Sequence, residues 1–362
     1  MRQQTLITVA VTLFSVFPID SRAHAAAVDA TQPIRITGFV EGSYAWASNA
    51  AGRTIVGGLY QRDHNQFVAN GFQLGIDKPT RMDTLSAGFT ARAMFGRSAT
   101  PIRAAGLDLG TQGDLTQAFG TLNLPTASGA VQLSLGKMAT LLGLEVIESI
   151  GNPNLTVGNQ FVFVENFTDV GLDVNWIVDP RLSLRGRILN GWDLAEDNNE
   201  AHSFMGRIGW TPNERAAFAV VGFVGPEQAD NVGNRRYGGE VLATLKRGAH
   251  ALTLQGDLGK EEGIDAQWWA AGAWVVLGLR PGYDLALRAD VLDDEDGART
   301  SGVLGYPVHD GQRLTTATAT LNIRVFDGAL VRPEVRFDRS SLDAFDGHDS
   351  QVTLALGAAF VY

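Results

Sequence analysis

The chain closes on "TLALGAAFVY", residues 353–362. In a pleated strand successive side chains point to opposite faces. Leu354, Leu356, Ala358, Phe360 and Tyr362 therefore share one face, and Thr353, Ala355, Gly357, Ala359 and Val361 the other. One face is large, apolar and ends on an aromatic; the other is small. The question is which kind of sheet wants that pairing at the end of a chain.

The same two-residue period runs through the sequence. Ile34, Ile36, Val40, Tyr44 and Trp46 oppose Arg35, Thr37, Glu41 and Ser43. Leu172, Val174 and Trp176 oppose Asp173 and Asn175; Leu182, Leu184 and Ile188 oppose Arg185 and Arg187. Leu285, Leu287 and Ala289 oppose Asp284, Arg288 and Asp290, and Val335 and Phe337 oppose Glu334, Arg336 and Asp338. The period is least regular at 117–124 and 265–279, the second being apolar on both faces. A soluble sheet turns its apolar face inward, whereas a membrane barrel turns it to lipid and its polar face to the lumen. Local alternation does not separate the two.

Connections do. Seven are short: 77–83, 124–130, 178–181, 211–215, 246–250, 279–284 and 326–329. Eight are longer: about 47–65, 97–116, 139–167, 191–202, 226–236, 260–265, 293–312 and 339–350. Short and long alternate, which implies about sixteen strands with turns at one rim and loops at the other. That is the plan of an outer-membrane barrel. The expected fold is therefore all-β, a transmembrane up-and-down antiparallel β-barrel whose last strand pairs with the first. Its short turns would be periplasmic and its long loops extracellular.

Composition agrees. The chain has no Cys, which removes disulfides and thiolate chemistry. A net charge of −10 argues against nucleic-acid binding. Gly is abundant, at 42 residues, as a chain of many tight turns requires. Arg2, the apolar run "LITVAVTLFSVF" at 6–17 and Ala23-His24-Ala25 form an export signal with a cleavage site. Residues 1–25 are thus expected to be a cleaved signal peptide, and 26–362 one barrel domain. No later run is long and apolar enough for a transmembrane helix.

Gly357-x-x-Phe360-x-Tyr362 resembles the carboxy-terminal assembly signal that barrel-insertion machinery reads. Four further stretches resemble the β-barrel porins of the OmpL-like class (β-barrel porin-2). They are "GFVEGSYAW" (38–46), "GLDLGTQGDLTQAF" (106–119), "LGKMATLLGLEVIESIGNPNLT" (135–156) and "LNGWDLAEDNN" (189–199). The resemblance implies an outer-membrane channel of a Gram-negative bacterium. It implies no cofactor and names no solute. By analogy with porins, a homotrimer is the expected assembly. Outer-membrane lipid and lipopolysaccharide are the expected surroundings.

By parity the lumen face carries Arg92, Arg185, Arg187, Arg207, Arg288, Arg324, Arg332 and Arg336, with Asp173, Glu240, Asp290 and Glu334 among the opposing acids. At the bilayer midplane an Arg facing lipid costs roughly 2–4 kcal/mol, so these groups should point inward and border a channel. Arg185 with Arg187, and Arg332 with Arg336, are expected to form a basic wall. The near balance of signs predicts weak selectivity. The longest loop, 139–167, is largely apolar and is expected to fold into the lumen and narrow it. Trp46, Trp176, Trp192, Trp210, Phe360 and Tyr362 lie mostly toward the expected strand ends, where the membrane interfaces favour aromatic rings.

Enzymatic motifs are wanting. "DDEDG" at 293–297 lacks the spacing of a calcium loop. His202 and Ser203 are adjacent on a strand, so they point apart and make a poor catalytic pair. No catalytic or metal-binding residue is assigned. The function expected is passive or weakly selective diffusion of small hydrophilic solutes. The alternatives are a receptor or adhesin acting through its loops, or an outer-membrane hydrolase.

Overall fold

The computed structural model describes residues 33–107 and 109–362; the signal peptide expected at 1–25 lies outside them. Sixteen strands follow in order: β1 (Arg35–Ala47), β2 (Gln66–Lys78), β3 (Ser86–Phe95), β4 (Gly113–Pro125), β5 (Ala130–Ala139), β6 (Thr168–Ile177), β7 (Leu182–Leu189) and β8 (Ser203–Asn213). The second half holds β9 (Ala216–Gly225), β10 (Arg236–Arg247), β11 (His250–Glu261), β12 (Ala266–Arg280), β13 (Tyr283–Asp294), β14 (Gln312–Phe326), β15 (Ala329–Ser340) and β16 (Ser350–Val361). Each is antiparallel to the next, and β1 pairs with β16 to close the barrel. Closure leaves no open edge, which a bilayer demands because nothing in hydrocarbon satisfies unpaired N–H and C=O groups.

The opening decapeptide forms the seam. Val40 lies opposite Phe360, Tyr44 opposite Leu356 and Trp46 opposite Leu354. Val40, Trp46, Leu354, Leu356 and Phe360 are exposed, while Thr353, Ala355, Gly357 and Ala359 face inward and are buried. The inversion holds round the wall. Leu135, Leu172, Trp176, Ile208, Trp210, Val220 and Leu254 lie exposed outside, and Asp173, Arg187, Glu240, Arg288 and Glu334 lie buried inside. Apolar side chains outside and charges inside specify a barrel set in lipid.

Both irregular segments have a physical cause. Between β3 and β4 the register slips after Arg92, so that Arg92 faces Gln117 and Ala93 faces Leu115. The bulge at Thr116 flips the parity that follows. On β12 the inward face is apolar as well, because Trp268 and Ala270 join Phe163, Val164, Leu292, Tyr306 and Phe345 in a cluster inside the barrel. A second cluster there contains Phe39, Leu59, Tyr60, Met94, Ile102, Ile147 and Phe161. The interior is thus partly a packed core, built where the long connections fold inward.

Gly357 shows how close that packing is. A Cβ at this position would sit 2.5 Å from Leu155 Cδ1 of the internal loop. Gly357→Val is expected to destabilise the barrel by about 1–3 kcal/mol through overpacking. Adding Leu155→Ala should restore most of the loss in a denaturant titration; no restoration would mean that the contact is not the cause.

Candidate functional site: the lumen and its internal loop

Residues 140–167 leave β5, cross the lumen and return to β6. The only regular pieces in this segment are a single 3₁₀ turn at Ser149–Gly151 and a π-helical turn at Gln160–Val164. Such a chain has few internal partners for its backbone, yet most of it is buried. Every buried N–H and C=O must then find a partner elsewhere.

The barrel wall supplies them. Its acids and amides accept from loop N–H groups. Glu240 Oε2 accepts from Gly143 (2.6 Å), Gln255 Oε1 from Leu144 (3.1 Å), Glu334 Oε2 from Leu155 (2.7 Å) and Asp290 Oδ1 from Asn159 (3.2 Å). Its guanidinium groups donate to loop carbonyls. Arg207 reaches Leu141 O (2.7 Å), Arg332 reaches Ser149 O (2.9 Å) and Asn152 O (2.7 Å), Arg288 reaches Thr156 O (2.5 Å) and Arg336 reaches Val157 O (2.8 Å). Ser149 also donates its hydroxyl to Glu41 on β1. The loop is therefore clamped from nearly all sides by charge-assisted hydrogen bonds, about twice as strong as neutral ones.

The same residues neutralise one another. Arg288 pairs with Glu145 of the loop (2.9 Å) and lies 3.4 Å from Asp290. Arg336 pairs with Asp338 (2.8 Å), and Arg324 with Asp284 (2.8 Å). Arg185 and Arg187 share Asp173 (2.8 and 2.9 Å), and Arg187 also pairs with Asp169 (2.5 Å). This corrects the expectation of a basic wall: the charges of Arg185 and Arg187 are met by Asp173 and Asp169, and Arg332 and Arg336 are committed to loop carbonyls.

All twelve expected lumen residues face inward, but they divide into two groups. Arg187, Arg288, Arg332, Arg336, Asp173, Glu240, Asp290 and Glu334 are buried, none more than 6% exposed. Arg92, Arg185, Arg207 and Arg324 keep partial exposure. Around Arg92 and Arg185 the inner wall of β3–β7 is partly exposed and polar: Thr90, Thr121, Gln132 and Asn175. From the loop, Glu148 reaches across to Arg92 (3.7 Å), which is also 3.5 Å from Asp77. Leu144, Val146, Glu148 and Ile150 alternate as the partly exposed face of the loop, with Glu145, Ile147 and Ser149 buried behind them.

Sequence parity did not find Glu145, Gln255 or Asp169 as anchors. Glu145 has a charged neighbour only in the folded loop, and a strand amide or acid looks the same whether it faces water or a loop backbone. Trp192 is a second correction. It packs edge-on against Phe223 (5.1 Å), and Arg236 and Arg299 lie over its ring at 5.1 and 5.4 Å. It belongs to the packed barrel mouth rather than to a lipid interface, because two guanidinium groups occupy its faces.

Other candidate groups are structural in their contacts. Asp294 of "DDEDG" accepts from Thr300 N (2.8 Å) and Thr300 Oγ1 (2.6 Å), which caps its own loop. His202 lies 3.7 Å from Asp197, while Ser203 donates to Glu227 (2.6 Å). Among the described residues no three His, Asp or Glu are placed to hold a metal ion. Asp193 is half-buried and accepts from Phe167 N (2.7 Å) and Thr168 N (3.0 Å) at the return stem of the loop. Burial pushes its carboxyl up to about 7, against the lowering effect of those two N–H groups.

The sequence pattern of the family described as "Putative beta-barrel porin-2, OmpL-like" matches residues 33–362. No curated protein matches the chain. Solved structures with the same fold are distant in sequence. The outer-membrane channel DcaP of Acinetobacter baumannii is 12% identical with a TM-score of 0.61, covering 93% of this chain and 99% of its own. OprB of Pseudomonas putida is 13% identical with a TM-score of 0.62, covering 91% of this chain and 94% of its own. OmpT of Vibrio cholerae, solved in a trimer form, is 10% identical with a TM-score of 0.58, covering 91% of this chain and 99% of its own.

Proposed function

Because the chain belongs to the OmpL-like β-barrel porin family, the channels of the Gram-negative outer membrane, we propose that it is a narrow diffusion channel for small hydrophilic solutes. The passage would run between the internal loop and the inner wall of β3–β7. One observation carries this reading: the loop is clamped to the wall from β8 round to β15 and at β1, and meets β3 through the Arg92–Glu148 contact. The border left beside it is made of Thr90, Thr121, Gln132, Asn175 and Arg185, side chains that water and polar solutes solvate well.

Along that border the partly exposed Arg92 pairs with Glu148 and Asp77, and Arg185 pairs with the buried Asp173; on the opposite wall Arg324 pairs with Asp284. Paired signs support weak ion selectivity. The test is the reversal potential in a salt gradient. Glu148→Gln removes the acid facing Arg92 and should move it toward anion preference. Arg185→Ala should move it toward cation preference. No movement with either variant would place the passage elsewhere.

The reading assigns no catalytic role, in keeping with a Ser203 hydroxyl engaged by Glu227 rather than by His202. The short turns face the periplasm and the long loops the exterior, where they meet lipopolysaccharide. Gly357, Phe360 and Tyr362 form the assembly signal read by the insertion machinery; Phe360 and Tyr362 point outward at the turn rim, and Gly357 also packs against Leu155 of the loop. A homotrimer is supported by the trimeric form of the Vibrio cholerae relative.

A further inference from the structure

The two stems of the internal loop meet at one point of the wall. Gly143 on the outgoing stem donates its N–H to Glu240 Oε2 of β10 (2.6 Å). Glu165 on the return stem lies directly over Gly143: a Cβ there would run into the Glu165 carboxyl, and φ at Gly143 is +79°, so only glycine fits. Gln255 of β11 ties the stems together. Its Nε2 donates to Glu165 Oε1 (2.6 Å) and lies 3.3 Å from both Glu240 Oε2 and Asp257 Oδ2. Gln160 Nε2 donates to Asp257 Oδ2 (2.5 Å). All five side chains are buried, and no donor reaches Glu165 Oε2 or Glu240 Oε1.

The surrounding charges do not balance this cluster. From β8, Arg207 faces Glu240. From β13, Arg288 and Asp290 face the loop, with Arg288 paired to Glu145 and Asp290. β12 packs against the π-helical turn with Trp268 and Ala270, which carry no charge. Arg207 thus faces Glu240, while Glu145 adds a further carboxyl group toward Glu165. Adjacent buried carboxylates do not all stay ionised, since each lacks water and repels the next. A proton resolves both faults: it removes a charge and supplies a donor for an orphan oxygen.

We propose that Glu165, Glu240 and Asp257 form a proton-operated clasp that holds the internal loop against the wall and loosens as the proton leaves. The inference rests on the channel reading for its consequence, not for its mechanism. The sign follows from linkage. The docked loop binds more protons than the released one, so docking is strongest in acid and weakens as pH rises from the ordinary Glu range through the docked value. Burial, then Glu240 and Asp257, hold the Glu165 carboxyl well above its usual range. Asp193 at the same stem, pushed up to about 7 by burial, acts in the same direction.

The chain has no Cys, so a single introduced thiol reports loop docking without competition. Val157→Cys places it at a buried position on the docked loop itself, and Val308→Cys, at an 87% exposed position, corrects for thiol ionisation. Between pH 5 and 9 the maleimide labelling rate of V157C, divided by that of V308C, should rise more than about threefold, and single-channel conductance should rise with it. In the Glu165→Gln background, a neutral isostere, both should rise clearly less, since only Asp193 and the remaining Glu240–Asp257 pair still lose a proton. A flat ratio in the parent chain, or an equal rise with E165Q, overturns the clasp. Heat-modifiable gel mobility confirms that each variant is folded, and Glu240→Gln repeats the test if E165Q is not. A rising ratio with no conductance at any pH would uphold the clasp and sink the channel reading.

Discussion

Deleting residues 143–160 should raise single-channel conductance by at least ~2-fold while the barrel remains folded, since sixteen-stranded barrels enclose an aqueous lumen wide enough to conduct. The hydrogen-bonded ladder runs from β1 to β16 without using the loop, so closure does not depend on it. The loop fills lumen that the wall alone would leave to water. Its removal exposes Glu240, Asp290, Arg288, Arg332, Glu334 and Arg336, which water then solvates in place of the loop backbone. The folded state is checked by heat-modifiable gel mobility and the conductance in a planar bilayer. A folded deletion variant with unchanged conductance would show that the loop does not border the passage.

The second large effect is at Arg288. Its guanidinium touches Glu145 (2.9 Å), Thr156 O (2.5 Å), Thr318 Oγ1 (3.0 Å) and Asp290 (3.4 Å), and the residue is 2% exposed. Arg288→Met removes the cation and strands two buried carboxyl groups. Breaking a buried pair in this way costs about 3–5 kcal/mol. The denaturant midpoint of refolding into detergent or lipid should fall accordingly, and single-channel current should become noisier as the loop loosens. Arg288→Lys keeps the charge but not the planar fork, so it should recover only part. Glu145→Gln added to R288M should recover part as well, because one stranded charge is gone. A loss under about 1 kcal/mol for R288M would place Arg288 in water, contrary to its packing.

The wall was legible in the sequence because its chemistry is periodic. Once the connection lengths point to a membrane barrel, Leu172, Val174 and Trp176 against Asp173 and Asn175 state which face meets lipid. Turn and loop lengths gave the strand number for the same reason: each hairpin must return within one membrane thickness. The exceptions are local and physical. A single bulged residue, Thr116, blurs β4, and the inward Trp268 and Ala270 make β12 apolar on both sides.

The purpose of the inward charges was not legible. Parity places Arg288 or Glu334 in the lumen and stops there. Their partners are backbone groups of a loop more than 100 residues away in sequence, as between Arg288 and Thr156 (132) or Glu334 and Leu155 (179). Nothing periodic marks a loop carbonyl as an acceptor. Hence residues expected to border solvent proved, for the most part, to be hidden beneath the loop. Trp192 was misplaced for a related reason: adjacency to a strand end suggests an interface, and only the fold shows Arg236 and Arg299 stacked over its ring.

The central claim is that this barrel conducts through a passage narrowed by its own loop. The most direct test is to record the folded mature protein in a planar lipid bilayer. Small, discrete current steps, ohmic in salt and with a reversal potential near zero in a gradient, are the expected result. A barrel that is folded and inserted yet passes no current would contradict it, and would move the function to the extracellular loops.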